Sequence, residues 1–150
     1  MENYKLLTKY KKFQIKWYEG GLKAIHAQET LTITPKSITF KRKTNGYVIN
    51  KNTPYWSDCD YKIIVNDNRF IEKFEKLCDC FIITKDPDII VKSTNGESFY
   101  IEITYYDNEK VKKEYDTNLT TIGLDKLIKN LNQFIPKSCS KPYFINGIYE

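Results

Sequence analysis

Phe99, Ile101, Ile103 and Tyr105 alternate without a break with Tyr100, Glu102, Thr104 and Tyr106. Successive side chains of a strand point to opposite faces, whereas a helix would scatter both sets around its circumference, so Ser98–Tyr106 reads as a half-buried strand. Such a strand needs pairing partners and a covering layer. The polar turn Asp107-Asn108 and the run from Lys110 to Asp116 supply a hairpin partner. Leu124, Leu127, Ile128, Leu131 and Ile135 then recur at helical spacing and supply cover. The same order of pieces occurs earlier, with Leu31 and Ile33, a turn at Pro35-Lys36, then Ile38 and Phe40. After a long connection comes the stripe of Phe70, Phe74, Leu77 and Cys78. The pattern predicts an α+β fold, a mainly antiparallel sheet of about five to seven strands with two amphipathic helices on one face. It also suggests an internal strand-strand-helix repeat.

Phe13, Ile15 and Trp17 alternate with Gln14, Lys16 and Tyr18, predicting a further strand that ends at Glu19-Gly20-Gly21. Alternation resumes from Ala24 to Thr34 and again from Ser37 to Lys43. Asn45–Asp60, rich in Asn, Gly, Pro and Ser, reads as a loop. Asp67 is a candidate N-cap for the first helix, and the second should start near Thr120 or Thr121 and stop before Pro136. Asp88–Lys92 reads as a short strand. At 150 residues the chain should form one domain, with 1–12 and 137–150 peripheral. The tail carries Tyr143, Phe144, Ile145, Ile148 and Tyr149, apolar enough to dock on the domain or to join two copies as a homodimer through 143–149.

Hydrophobic residues make up 41% and charged residues 29%, which excludes a disordered composition. No apolar run approaches the ~20 residues of a membrane-spanning helix, and the start lacks a signal-peptide block, so a cytoplasmic protein with no membrane partner is expected. The four cysteines are then expected as free thiols. Cys59 and Cys139 fall in loop-like stretches, and Cys78 and Cys80 would point to opposite sides of a helix. No metal or cofactor is expected. His26 is the only histidine, and the chain has no phosphate-cradling Gly-rich loop, no G-x-S-x-G elbow and no C-x-x-C pair. Catalysis is therefore not expected; an enzyme would have to use the loop carboxylates Asp58 and Asp60 or Asp86 and Asp88.

Two binding surfaces remain. The chain carries a net charge of +5, and no acid interrupts the stretch between Thr30 and Tyr55, which includes Lys41, Arg42 and Lys43. That triplet is a candidate nucleic-acid site. The other is the Gly20-Gly21 turn with its neighbours Tyr18 and Leu22, a candidate protein-binding site. Tyr18, Tyr100 and Tyr106 all fall opposite the apolar faces of their strands, where they could anchor a protein or stack on bases. The leading expectation is a non-catalytic protein-binding module.

The segment Tyr18-Glu19-Gly20-Gly21-Leu22-Lys23-Ala24-Ile25 resembles the Gly-Gly turn near the start of emfourin-type proteins, small inhibitors of thermolysin-like metallopeptidases. Tyr100–Tyr105, the Asp107-Asn108 turn and Leu124–Leu131 resemble that family's closing hairpin and helix. The resemblance implies inhibition of a peptidase. Leu22 stands where the family has an aromatic residue, and Asn45–Asp60 and the aromatic tail have no counterpart there.

Overall fold

The structure of the chain, a computed structural model, describes residues 8–20, 25–44, 58–83, 97–115 and 125–139. In chain order these form β1 (Tyr10–Gly20), β2 (Ile25–Thr34), β3 (Ser37–Thr44), β4 (Cys59–Ile64), α1 (Asn68–Ile83), β5 (Glu97–Tyr105), β6 (Lys110–Tyr115) and α2 (Asp125–Asn132). The strands make one six-stranded sheet in the order β4-β3-β2-β1-β5-β6, every neighbouring pair antiparallel.

Alternation builds the core in rows that run across the strands. One row is Ile63, Ile38, Ile33, Phe13, Ile103 and Val111; the next is Tyr61, Phe40, Leu31, Ile15, Ile101 and Lys113. Branched and aromatic side chains meet directly across each ladder, the pairing that stabilises sheets most. From β1, β2, β3 and β5 these residues are almost fully buried. On the edge strands β4 and β6 they are half-buried.

The Asp67 carboxylate caps α1 by accepting from Arg69 N–H at 2.9 Å, and its carbonyl accepts from Phe70 and Ile71. Phe74, Leu77, Cys78 and Phe81 then recur on one side of the helix and enter the core cluster, where Phe81 meets Phe13 edge to face at 6.0 Å. Leu131 of α2, with Phe134 and Ile135 just beyond it, joins the same cluster, and Phe134 meets Phe70 of α1 edge to face at 5.5 Å. At the β5–β6 turn Asn108 adopts a φ of 70°, and Glu109 N–H donates to the Asp107 carboxylate at 3.0 Å. Among the described residues no helix is long and apolar enough to cross a membrane.

Three expectations need correction. Cys59 and Asp60, expected in a loop, open β4, which pairs with β3 from Arg42↔Cys59 to Ser37↔Ile64. This edge strand leaves one face in solvent, with Ile64 63% exposed, so its apolar pattern is weak. Tyr10, inside the segment expected to be peripheral, starts β1 and is buried against Tyr105, ring centres 5.2 Å apart. Cys139 lies in the turns after α2 as its loop-like stretch predicts, yet it packs half-buried against the core although 137–150 was expected to be peripheral. The expected strand at 88–92, the helix start near 120 and the tail at 143–149 lie outside the described residues, as do the side chains of 125–128.

Candidate functional site

The same alternation that fills the core sends a second set of side chains to the opposite face of the sheet. The buried residues of α1 and α2 all belong to the first face. One row of the open face is Lys41, Thr30, Lys16, Tyr100 and Glu114, and the row beside it is Lys43, Gln28, Tyr18 and Ser98. A third is Lys62, Thr39, Thr32, Gln14, Glu102 and Lys112. Gln14 donates to the Thr32 hydroxyl at 2.9 Å, tying β1 to β2 through this row.

Tyr18 and Tyr100 sit diagonally across the β1–β5 ladder with ring centres 5.6 Å apart and planes at 89°, an edge-to-face pair. Tyr100 remains 42% exposed. The two rings stand over a shallow depression lined also by Gln14, Lys16, Glu102, Lys112 and Glu114.

Lysines dominate the charge of this face. Glu102 lies 3.9 Å from Lys12, 3.6 Å from Lys110 and 3.7 Å from Lys112, so one carboxylate gathers three ammonium groups. Solvent-screened pairs of this kind contribute little stability, and two of the three positive charges remain uncompensated. Among the described residues Lys16, Lys41, Lys43 and Lys62 have no carboxylate within 4.0 Å, although Asp60 stands across from Lys41 in the ladder.

The predicted basic triplet does not act together. Lys41 and Lys43 are exposed on the open face, while Arg42 points the other way and is 1% exposed. Its Nε donates to Glu29 Oε2 at 2.8 Å, and its guanidinium lies over the Phe40 ring at 5.2 Å. The cause is simple: neighbours along a strand point to opposite faces. Arg42 is thus a buried partner of Glu29 and unavailable to a phosphate, which corrects its assignment as a binding residue.

Of the predicted protein-binding set, Tyr18 is on the open face and half-buried. Gly20 closes β1, where the register with β2 slips between Glu19 and Gly20. Gly21 and Leu22 lie outside the described residues. Tyr106 is 53% exposed at the β5–β6 turn, beside Thr8, Lys9 and Asp107 and away from the Tyr18–Tyr100 pair. The residues that sequence reasoning missed are Lys62, Lys110 and Lys112, whereas Lys12 and Lys16 belong to the lysine-rich start of the chain, itself readable as a basic patch. For Lys110 and Lys112 the signal was their period-2 spacing on β6, while Lys62 stands alone on β4 and is brought in by register.

Asp58 and Asp60, one candidate catalytic pair, are exposed at the start of β4, and Asp86 and Asp88 lie outside the described residues. No three His, Cys, Asp or Glu side chains among the described residues are grouped to hold a metal ion. Cys78 faces the core, where burial raises its thiol far above the ordinary range and keeps it protonated. What the open face can do is attract and hold a polyanion and offer aromatic rings beside it. No protein-family model matches the chain and no curated protein sequence matches it.

Proposed function

We propose that the chain is a non-catalytic nucleic-acid-binding module whose ligand lies on the open face of the sheet. The observation that carries this is the cluster of Lys16, Lys41 and Lys43 without ion-pair partners among the described residues, next to the Tyr18–Tyr100 pair. Phosphates neutralised by such lysines release condensed counterions, the largest sequence-independent source of affinity for nucleic acid. Among the described residues the buried side chains of the helices, Phe74 and Phe81 of α1 and Leu131 of α2, belong to the core cluster on the other face, which supports a ligand on this one. Peptidase inhibition through the Gly20-Gly21 turn would draw on Tyr18 as well, but needs no lysine on β3.

The test is fluorescence anisotropy with labelled nucleic acid over a series of salt concentrations. Replacing Lys16, Lys41 and Lys43 together with alanine should lower the slope of log K against log salt by about 2, near the 0.7 expected per phosphate contact on a single strand. Absence of binding to any nucleic acid at low salt, or a slope unchanged by the triple substitution, overturns the proposal. Stoichiometric inhibition of a thermolysin-like peptidase that survives the triple substitution would put the protein-binding function in its place.

A further inference from the structure

We infer that the nucleic acid is single-stranded and that its bases lie on the Tyr18–Tyr100 pair while its phosphates pass toward Lys16, Lys41 and Lys43. The inference rests on the nucleic-acid function proposed above and specifies its ligand. Three features of the face point to it.

The first is shape. A duplex shows its base edges inside a major groove about 12 Å wide, which admits a helix or a two-stranded ribbon. Six strands spaced about 4.8 Å apart form a surface about 24 Å across, too broad to enter that groove. The broad face therefore suits bases that have already left a stack.

The second is the aromatic pair. An edge-to-face arrangement holds the two rings against each other, so a base can settle on Tyr100 without first ordering a mobile side chain. Every base offers a π-face, so such stacking is tolerant of sequence and is strongest for unpaired nucleotides.

The third is the sidedness of the charge around the rings. Lys16 lies directly opposite Tyr100 across the β1–β5 ladder, and Lys43 shares the row of Tyr18 two strands away, a distance of about 10 Å. On the other flank Glu114 stands opposite Tyr100, and Glu102 lines the same depression with Lys112 beside it. Lys110 and Lys112 on that flank already sit beside Glu102. Lys16, Lys41 and Lys43 have no carboxylate within 4.0 Å among the described residues, so phosphates are drawn first over β2 and β3 and the bases fall toward β5.

The experiment compares a short single-stranded oligo-dT, a duplex of equal length and inorganic polyphosphate of matched charge as ligands of the full chain. The single strand should bind at least tenfold more tightly than either competitor. Tyr100→Leu and Tyr18→Leu should each weaken it about tenfold, Tyr100→Phe and Tyr18→Phe should hold near wild-type affinity, and polyphosphate should respond to none of the four. Equal affinity for the duplex or for polyphosphate, measured on the wild-type chain alone, overturns the single-strand inference and leaves the nucleic-acid function standing. Folded leucine variants that bind oligo-dT like wild type overturn it as well. Failure to bind any nucleic acid removes both.

Discussion

The buried pair of Glu29 and Arg42 gives the sharpest test of the fold. The two side chains are 0% and 1% exposed and meet at 2.8 Å across the β2–β3 ladder. Removing one partner of such a pair strands a charge in the core and costs about 3–5 kcal/mol, whereas replacing both with apolar groups of similar volume is often neutral or stabilising. Both residues have other contacts besides this one. The lower end of the range therefore applies, and Glu29→Leu or Arg42→Met alone should cost about 3 kcal/mol. For a chain of 150 residues that is a fall in Tm of about 6–12 °C. Urea unfolding of wild type, both single variants and Glu29→Leu with Arg42→Met completes a double-mutant cycle. The double variant should recover most of the loss. If it falls by the sum of the single effects, the two charges do not compensate each other. If each single change costs under about 0.5 kcal/mol, Arg42 is not buried and belongs with Lys41 and Lys43 after all.

Further outcomes follow from the core, the ionisable groups and the turn. Phe74→Ala should cost about 3–5 kcal/mol in urea unfolding, since Phe74 is 0% exposed, while exposed Lys76→Ala should change almost nothing. Iodoacetamide followed by mass spectrometry should label Cys59 and Cys139 in the native protein and leave Cys78 unlabelled until denaturant is added, because burial holds its thiol neutral. Burial, and then donation of its hydroxyl to the Asp79 carboxylate, raise the Tyr10 phenol above its ordinary 10.0. A folded value raised above the unfolded one gives stability that is complete below pH 10 and lost as pH rises beyond it. The urea midpoint should therefore fall as pH rises above about 10, and Tyr10→Phe should flatten that fall; an equally steep decline in the variant would refute the assignment. Asn108→Gly should be close to neutral and Asn108→Val should cost about 1–2 kcal/mol, because a branched residue resists the φ of 70° at that turn.

The parts of the fold legible in the sequence were those where one physical requirement acts alone. Phe99, Ile101 and Ile103 had to face one side, and Phe70, Phe74, Leu77 and Cys78 had to form a stripe; the structure buries all of them but Phe70, which packs half-buried against the same core. Edge strand β4 was harder to read because Asp60, Lys62 and Ile64 face solvent, so only half of it answers to the core. Arg42 was misread because charge was summed along the chain, while a sheet distributes it by face. The turn at Pro35-Lys36 sets Thr34 against Ser37, and counting outward along the hairpin sets Glu29 against Arg42. The open face was legible only in fragments, since Lys16, Tyr100 and Lys41 come from three strands and meet through register alone.

β1 holds the sheet together at its centre, and this has a consequence for how the molecule assembles. β1 to β4 follow one another along both the chain and the sheet, so their pairings are mostly local. β5 returns to the other edge of β1 and joins residues as distant as Phe13 and Ile103. Closing so long a loop carries an entropy cost that near neighbours avoid, which makes the β1–β5 seam the slow step of folding. Until β5 arrives, β1 offers an open edge carrying Phe13, Ile15 and Trp17, an aggregation template in any chain stalled before Glu97. Once β5 and β6 have docked, the outer edge on that side belongs to β6, where Lys110, Lys112 and Lys113 discourage pairing with another chain.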